Sequence, residues 1–149
     1  MTDWLLEPLT DLPSLEFALQ MQALIAPGRP VGATPDGTRT FIPITGGAFA
    51  GLRVRGTVLP GGADRLRVRP DGVVWIDALY ELQTDDGALI TIRNRGAVSD
   101  PAEGHLPRTA TSFVAPTGPH EWRNRSVFVG TLLATPEKGY VRVRVDRVT

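Results

Sequence analysis

Three polar residues of this chain, a carboxylic acid, a phenol and an amide, have types and positions suited to acid/base chemistry. Asp64 follows a Gly-Gly turn and shares its alternation with Leu66 and Val68, so we expect its side chain to enter the interior of the fold. Tyr80 and Asn94 fall on the apolar faces of two predicted strands. A desolvated carboxyl can act as a general acid or base, while a phenol and an amide can hold an enolate or phenolate oxygen. We predict a catalytic Asp64 and ligand-binding Tyr80 and Asn94.

A second set of residues flanks an irregular segment that could cover the same end of the interior. Arg108 precedes this segment, and Trp122 and Asn124 lie in it, so all three are predicted to bind the ligand. An apolar cavity with these groups would suit a small aromatic or polyketide-like molecule. The alternative is purely structural, because buried polar groups usually satisfy backbone and side-chain partners, and Asp64 could cap its own turn.

Other kinds of site have weak support. Gly46-Gly47 and Gly61-Gly62 lack the spacing of phosphate-binding loops and are predicted to be turns and bulges that bend strands. His105 and His120 are the only histidines, and their spacing matches no metal-ligand motif, so we expect no metal and no cofactor. Either histidine could be a general base, but a solvated loop position is favoured. The chain has no cysteine and no Gly-x-Ser-x-Gly elbow.

The positions of Tyr80 and Asn94 depend on the register of a predicted hairpin between Gly72 and Gly96. A two-residue turn at Asp86-Gly87 would put these two side chains on different faces. A type I turn with Gly87 in the left-handed bulge position would instead pair Thr84 with Ala88. We favour the second register because it gathers the apolar residues on one face.

The favoured register also determines on which face of the hairpin its most obvious carboxylate lies. It moves Asp77 to the outer face and sets it opposite Arg95, which we predict to be its ionic partner. Tyr80 and Asn94 then remain as the polar groups of the buried face.

The rest of the chain alternates between strand patterns and turn signals. Residues 14–25 alternate with period two, which favours a strand over the helix that their composition also permits. About nine such strands, turns every ten residues or so and little helix predict an all-β fold with a single antiparallel β-barrel over residues 14–149. Residues 1–13 form an N-terminal lead-in, where Trp4, Leu5 and Leu6 could pack on a neighbouring subunit of a homo-oligomer.

Composition limits the partners. The 149 residues include 16 basic and 16 acidic side chains, and this zero net charge argues against a nucleic-acid binder. Arginines at period two, such as Arg53/Arg55 and Arg142/Arg144, are predicted to lie on the solvated exterior. No basic leader or apolar run of membrane length is present, so we expect a cytoplasmic protein without a membrane partner.

Several short motifs follow one another along the chain: Ile42-Pro43-Ile44-Thr45-Gly46-Gly47, Leu59-Pro60-Gly61-Gly62-Ala63-Asp64, Arg69-Pro70-Asp71-Gly72, Asp77-Ala78-Leu79-Tyr80, Thr84-Asp85-Asp86-Gly87-Ala88-Leu89-Ile90, Asn94-Arg95-Gly96 and Phe128-Val129-Gly130. In this order they resemble the motifs of a known family, the uncharacterised domain of unknown function 3237. The resemblance implies a compact barrel similar to calycin or allene-oxide-cyclase barrels and a small organic ligand. Arg65 replaces a usual aromatic residue, and the segment between Gly96 and Arg108 is shorter than in many relatives.

Three functional hypotheses follow. The first is a cofactor-free isomerase, cyclase or lyase that acts on a small hydrophobic organic molecule with Asp64 as its acid/base group. The second is a non-catalytic carrier or sensor of such a ligand. The third is an oligomeric structural protein whose barrel is solidly packed.

Overall fold

Ten antiparallel β-strands form one sheet in the computed structural model, which describes residues 3–98 and 101–149; the side chains of Trp4 and Pro101 lie outside this description. The strands are β1 (Leu15–Ile25), β2 (Arg29–Thr34), β3 (Gly37–Gly51), β4 (Arg55–Val58), β5 (Gly62–Val68), β6 (Val74–Thr84), β7 (Leu89–Ala97), β8 (Arg108–Val114), β9 (Val127–Thr135) and β10 (Tyr140–Val148). Short 3₁₀ turns occupy Asp3–Leu5, Pro101–Glu103, Glu121–Arg125 and Pro136–Lys138. None of the helical segments described is long and apolar enough to cross a membrane.

The sheet closes on itself. Each strand pairs with the next in the order β1, β10, β9, β8, β7, β6. Both β4 and β5 then pair with β6 on one side and with β3 on the other. Strand β3 pairs with β1, which completes the circle. The result is an eight-stranded antiparallel barrel with two extra strands, which confirms the predicted fold class. Closure leaves the eight barrel strands without a free edge.

The strand count exceeds the prediction by one because β2 was not recognised. Its residues include Pro30 and Gly32, which are typical of a break in a strand. In the structure β2 pairs with the first part of β3, and the register shifts between Pro30 and Gly32. The two breakers therefore lie at an irregularity within the pairing and do not end it.

Strand β1 shows the predicted alternation. Leu19, Met21 and Ala23 are buried, and the intervening Gln20 and Gln22 are exposed. This period of two excludes the helical alternative for this segment. The glycines Gly46 and Gly47 lie within β3 at φ values of 155° and 132°, next to the shift in its register with β1 between Leu24 and Ile25.

The β6–β7 hairpin has the favoured register. The amide of Thr84 donates to the Ala88 carbonyl at 2.9 Å, and the Gly87 amide donates to the Thr84 carbonyl at 3.0 Å. Gly87 has a φ of 90°, the left-handed conformation that this turn requires. Tyr80 and Asn94 consequently lie on the buried face, with 3% and 1% of their surfaces exposed.

The predicted ionic partner of Asp77 is wrong. Asp77 does lie opposite Arg95 in the register, but its carboxylate accepts two hydrogen bonds from Arg93, both at 2.9 Å. Arg93 is the diagonal neighbour on the same outer face, within reach of a long side chain. There its planar guanidinium meets both carboxylate oxygens, a stronger arrangement than a single contact.

The exterior carries the predicted arginines. Arg53, Arg55, Arg142 and Arg144 are all exposed on the outer surface. Arg65 also points outward, where its guanidinium lies 5.8 Å from the centre of the Phe41 ring. Arg65 therefore belongs to the barrel exterior and does not line the cavity described below.

Candidate active site in the barrel interior

The barrel interior is packed at one end and hollow at the other. Near the β6–β7 turn the core includes Leu82 and the edge-to-face pair Phe113 and Phe128, whose ring centres are 4.8 Å apart. Toward the other end a cavity of about 260 Å³ is lined by apolar side chains and by three polar ones, Asp64, Tyr80 and Asn94. This volume lies slightly below the ~300–1,000 Å³ of typical ligand pockets.

Asp64 is the carboxylate of this cavity. It lies on β5 opposite Ala78, and its Oδ1 accepts a hydrogen bond from the Asp77 amide at 3.0 Å. Burial raises the pKa of Asp64 to about 6, and repulsion from the Asp77 carboxylate adds to this, while the Asp77 amide opposes it. The hydrogen bond is to the neighbouring strand, so Asp64 does not cap its own turn. A carboxyl with this pKa can both give and take a proton near neutral pH.

A glycine allows β5 to lie close enough to β6 to bring Asp64 inward. A Cβ atom at Gly62 would collide with Cβ of Tyr80 and lie 2.7 Å from the Leu79 carbonyl oxygen. Within the Gly-Gly pair before Asp64, Gly62 thus marks a close approach of two backbones, while Gly61 lies in the preceding turn. The close approach brings Asp64 and Tyr80 to the same cavity.

Tyr80 and Asn94 belong to a buried hydrogen-bond network. Asn94 Nδ2 donates to Tyr80 Oη at 3.2 Å, and the hydroxyls of Thr109 and Thr111 donate to Asn94 Oδ1 at 3.2 and 2.5 Å. The Tyr80 hydroxyl in turn donates to the sulfur of Met21 at 3.0 Å. Burial raises the pKa of Tyr80 above its usual value, so it stays a neutral phenol. The network joins β1, β6, β7 and β8 across the interior.

The two threonines were missed in the sequence, although a signal for them exists. Thr109 and Thr111 alternate with exposed residues in β8 and share a face with the buried Phe113. That parity places both hydroxyls inside the barrel. Only the pairing of β8 with β7 then shows that Thr111 lies opposite Asn94.

The remaining predicted ligand-binding residues do not line the Asp64 cavity. Trp122 and Asn124 lie at the opposite end, because the β8–β9 connection and the β6–β7 turn share one end of an antiparallel barrel. Asn124 binds the amide and carbonyl of Ala115 at 2.7 and 2.8 Å. Arg108 is exposed and donates to Thr131 Oγ1 at 2.9 Å. The prediction that the Trp122 segment covers the Asp64 end is therefore wrong.

The two histidines differ in environment. His105 is partly exposed and lies 3.2 Å from Glu103, as expected for a solvated loop residue. His120 is buried and contacts both Asp86 and Arg123, so the same expectation is wrong for it. Over the described ranges no group of three or more histidine or acidic side chains could hold a metal ion.

Comparisons with known proteins agree with this architecture. A UPF0311 protein of Clostridium acetobutylicum is 30% identical over 146 residues, which cover 87% of this chain and 92% of that protein. The hydroalkoxylation enzyme phnH of Penicillium herquei is 29% identical over 119 residues, covering 80% and 74% of the two chains. The crystal structure of a β-barrel-like protein from Acinetobacter baumannii matches with a TM-score of 0.83 and 29% identity, over 95% of this chain and 99% of the other.

A family model matches most of the chain. Residues 13–148 match the model of a family described as a protein of unknown function, DUF3237. This range includes all ten strands and every side chain that lines the Asp64 cavity. The chain therefore belongs to the DUF3237 family.

Proposed function

We propose that this protein is a cofactor-free enzyme that isomerises or cyclises a small aromatic or polyketide-like compound, with Asp64 as the proton-transferring group. The observation that carries the proposal is the position of Asp64 as the one carboxyl among the residues lining a mostly apolar cavity. Its pKa of about 6 suits proton transfer near neutral pH. An apolar chamber with a few convergent polar groups is the usual form of a small-molecule site.

Addition of a hydroxyl group across a carbon–carbon double bond is a reaction that such a site can perform. The protonated Asp64 carboxyl gives its proton to one alkene carbon, and the π electron pair forms the new C–H bond. The substrate's own hydroxyl oxygen bonds to the other carbon and releases its proton to the Asp64 carboxylate. Substrate and product are isomers, so no oxidant or reductant is needed. The relative named as a hydroalkoxylation enzyme supports this reaction class.

Tyr80 would orient the reacting oxygen. Its hydroxyl proton points at the Met21 sulfur, which is a weak hydrogen-bond acceptor. Rotating that proton toward a ligand oxygen therefore costs little. Asn94 holds the Tyr80 oxygen from the other side and keeps the phenol in place.

Non-catalytic transport of the same kind of ligand is the second candidate, and the cavity supports it equally. The cavity of about 260 Å³ argues against the third candidate, a structural protein with a solidly packed barrel. We would screen neutral alkenyl phenols by thermal shift and analyse each ligand that stabilises the protein by chromatography and mass spectrometry. An enzyme yields an isomer of equal mass at a new retention time. A carrier returns the ligand unchanged, and that result would contradict the catalytic proposal.

Self-association through the N-terminal lead-in is part of the same proposal. Leu5, Leu6, Leu9 and Leu12 are 62–88% exposed, an unusual run of apolar surface for a monomer. We expect light scattering to give a mass of at least two chains, and a Leu6→Ser/Leu9→Ser double variant to shift it toward one. Val114→Ser, at a 68% exposed position on β8, is the control and should leave the mass unchanged. A monomeric wild-type protein would contradict the proposal.

A further inference from the structure

A second cleft, of about 310 Å³, lies near the barrel end opposite the Asp64 cavity, between the start of β1 and the 3₁₀ turn Glu121–Arg125. Three of its lining side chains are arginines and one is a carboxylate; the charged and aromatic residues are Glu16, Phe17, Arg53, Trp122, Arg123 and Arg147. In a chain of zero net charge this is a local excess of positive charge. Such an excess beside apolar rings favours an anionic aromatic ligand.

Arg123 is the central group of the cleft. Only 4% of its surface is exposed, and burial lowers its pKa, which the Asp86 charge opposes. Among the described residues the one hydrogen-bond partner of its guanidinium is Nδ1 of His120, at 3.1 Å. Within residues 3–98 and 101–149 the guanidinium has no carboxylate partner, and none of its nitrogens is both fully buried and unpartnered, so its remaining N–H groups are accessible from the cleft. An anion in the cleft would complete its hydrogen bonds and neutralise its charge.

A chain of hydrogen bonds that runs inward from the exposed Asp86 fixes the position of Arg123. Thr84 Oγ1 donates to the Asp86 carboxylate, which also accepts from His120 Nε2 at 2.9 Å. With its proton on Nε2, the imidazole presents the Nδ1 lone pair to the Arg123 guanidinium. His120 is therefore a positioning residue, because it acts on a ligand only through Arg123.

The Trp122 ring is in contact with a second arginine of the cleft in addition to Arg123. The guanidinium carbons of Arg123 and Arg147 lie 4.5 and 5.2 Å from the centre of the Trp122 ring. Glu16 is the cross-strand partner of Arg147, yet within the part of the chain described no ion pair joins them. Neither of these two guanidinium groups is bound to a carboxylate of the described residues, so an anion beside them would offset the repulsion between their charges.

We propose that this cleft binds the carboxylate of a small aromatic acid. The guanidinium groups of Arg123 and Arg147 hold the carboxylate oxygens, Arg53 adds charge at the opening, and the rings of Phe17 and Trp122 contact the aromatic body. Guanidinium groups match the planar, two-oxygen geometry of a carboxylate. The site is independent of Asp64, since the two cavities share no lining residue.

The test is calorimetric titration of the full chain with sodium benzoate, alongside inorganic phosphate as a probe that carries charge without a ring. We expect one saturable benzoate site per chain and at least tenfold weaker binding of phosphate. Arg123→Gln should weaken benzoate binding tenfold or more, because it removes hydrogen bonds from a charged group to the carboxylate. Arg147→Gln should weaken it several-fold.

Three further variants test the proposal even if Arg123→Gln fails to fold. Arg147→Gln and Arg53→Gln alter side chains nearer the surface, and Arg142→Gln makes the same change on β10 outside the cleft. Equal affinities in Arg147→Gln and Arg142→Gln would overturn the proposal. So would an absence of saturable benzoate binding, or phosphate binding as tight as that of benzoate.

Discussion

Replacing Asp64 with asparagine is expected to lower the turnover number by about 10²–10⁴-fold, the usual contribution of a general acid or base. Asparagine has nearly the same shape, and its Oδ1 can still accept the Asp77 amide hydrogen bond. It cannot give or take a proton at neutral pH. The dissociation constant of the ligand should therefore stay within a few-fold of the wild-type value. Steady-state kinetics and calorimetry on the same preparation measure the two effects.

Asp85→Asn is the matched control for this variant. Asp85 is exposed in the β6–β7 turn, far from the cavity, so the same chemical change there should leave turnover and binding intact. A wild-type turnover number in Asp64→Asn would remove the carboxyl from the mechanism. Loss of both binding and turnover would instead assign Asp64 to ligand binding.

Replacing Asn94 with alanine is expected to cost about 3 kcal/mol of unfolding free energy. Asn94 is 1% exposed, and its loss leaves the hydroxyls of Thr109 and Thr111 without their acceptor and Tyr80 Oη without its donor. Unpaired buried polar groups incur their full desolvation cost. At this chain length the change corresponds to a fall of roughly 6–12 °C in melting temperature. Calorimetry and urea titration would measure it.

Tyr80→Phe distinguishes the contribution of the Tyr80 hydroxyl to stability from its contribution to substrate orientation. It removes one hydroxyl and keeps the ring, so its stability cost should be only about 1 kcal/mol. If the Tyr80 hydroxyl orients the substrate, this variant should lose more activity than stability. A cost below 1 kcal/mol for Asn94→Ala would show that the network contributes little to the fold.

The parts of the site that local sequence rules predicted are those set by one turn or one strand. The Thr84–Gly87 turn and the apolar faces of β6 and β7 determine one register, and that register puts Tyr80 and Asn94 inside. The alternation of β5 likewise places Asp64 in the interior. Each of these inferences needs only neighbouring residues and the period of a strand.

The sequence-based predictions that the structure contradicts all concern contacts between segments that are distant in the chain or in the sheet. The Trp122 segment could be assigned to an end of the barrel only from the order of all the strands. His120 is buried because its segment folds back on Asp86, 34 residues earlier in the chain. Asp77 selects Arg93 over Arg95 because a twisted sheet brings diagonal neighbours together. Neither composition nor periodicity encodes these distances.

The most direct test of the account is an NMR titration of the ¹³C-labelled Asp64 carboxyl, with and without bound 2-naphthol, which is neutral over the range used. Asp64→Asn assigns the signal by its disappearance. We expect a titration midpoint at a pH of about 6, with the Asp64 carboxyl protonated below it and ionised above it. Bound naphthol should raise the midpoint further, because displacing the remaining water disfavours the charged form. A midpoint near the ordinary value of 3.8 that naphthol leaves unmoved would contradict a desolvated acid/base group facing the ligand.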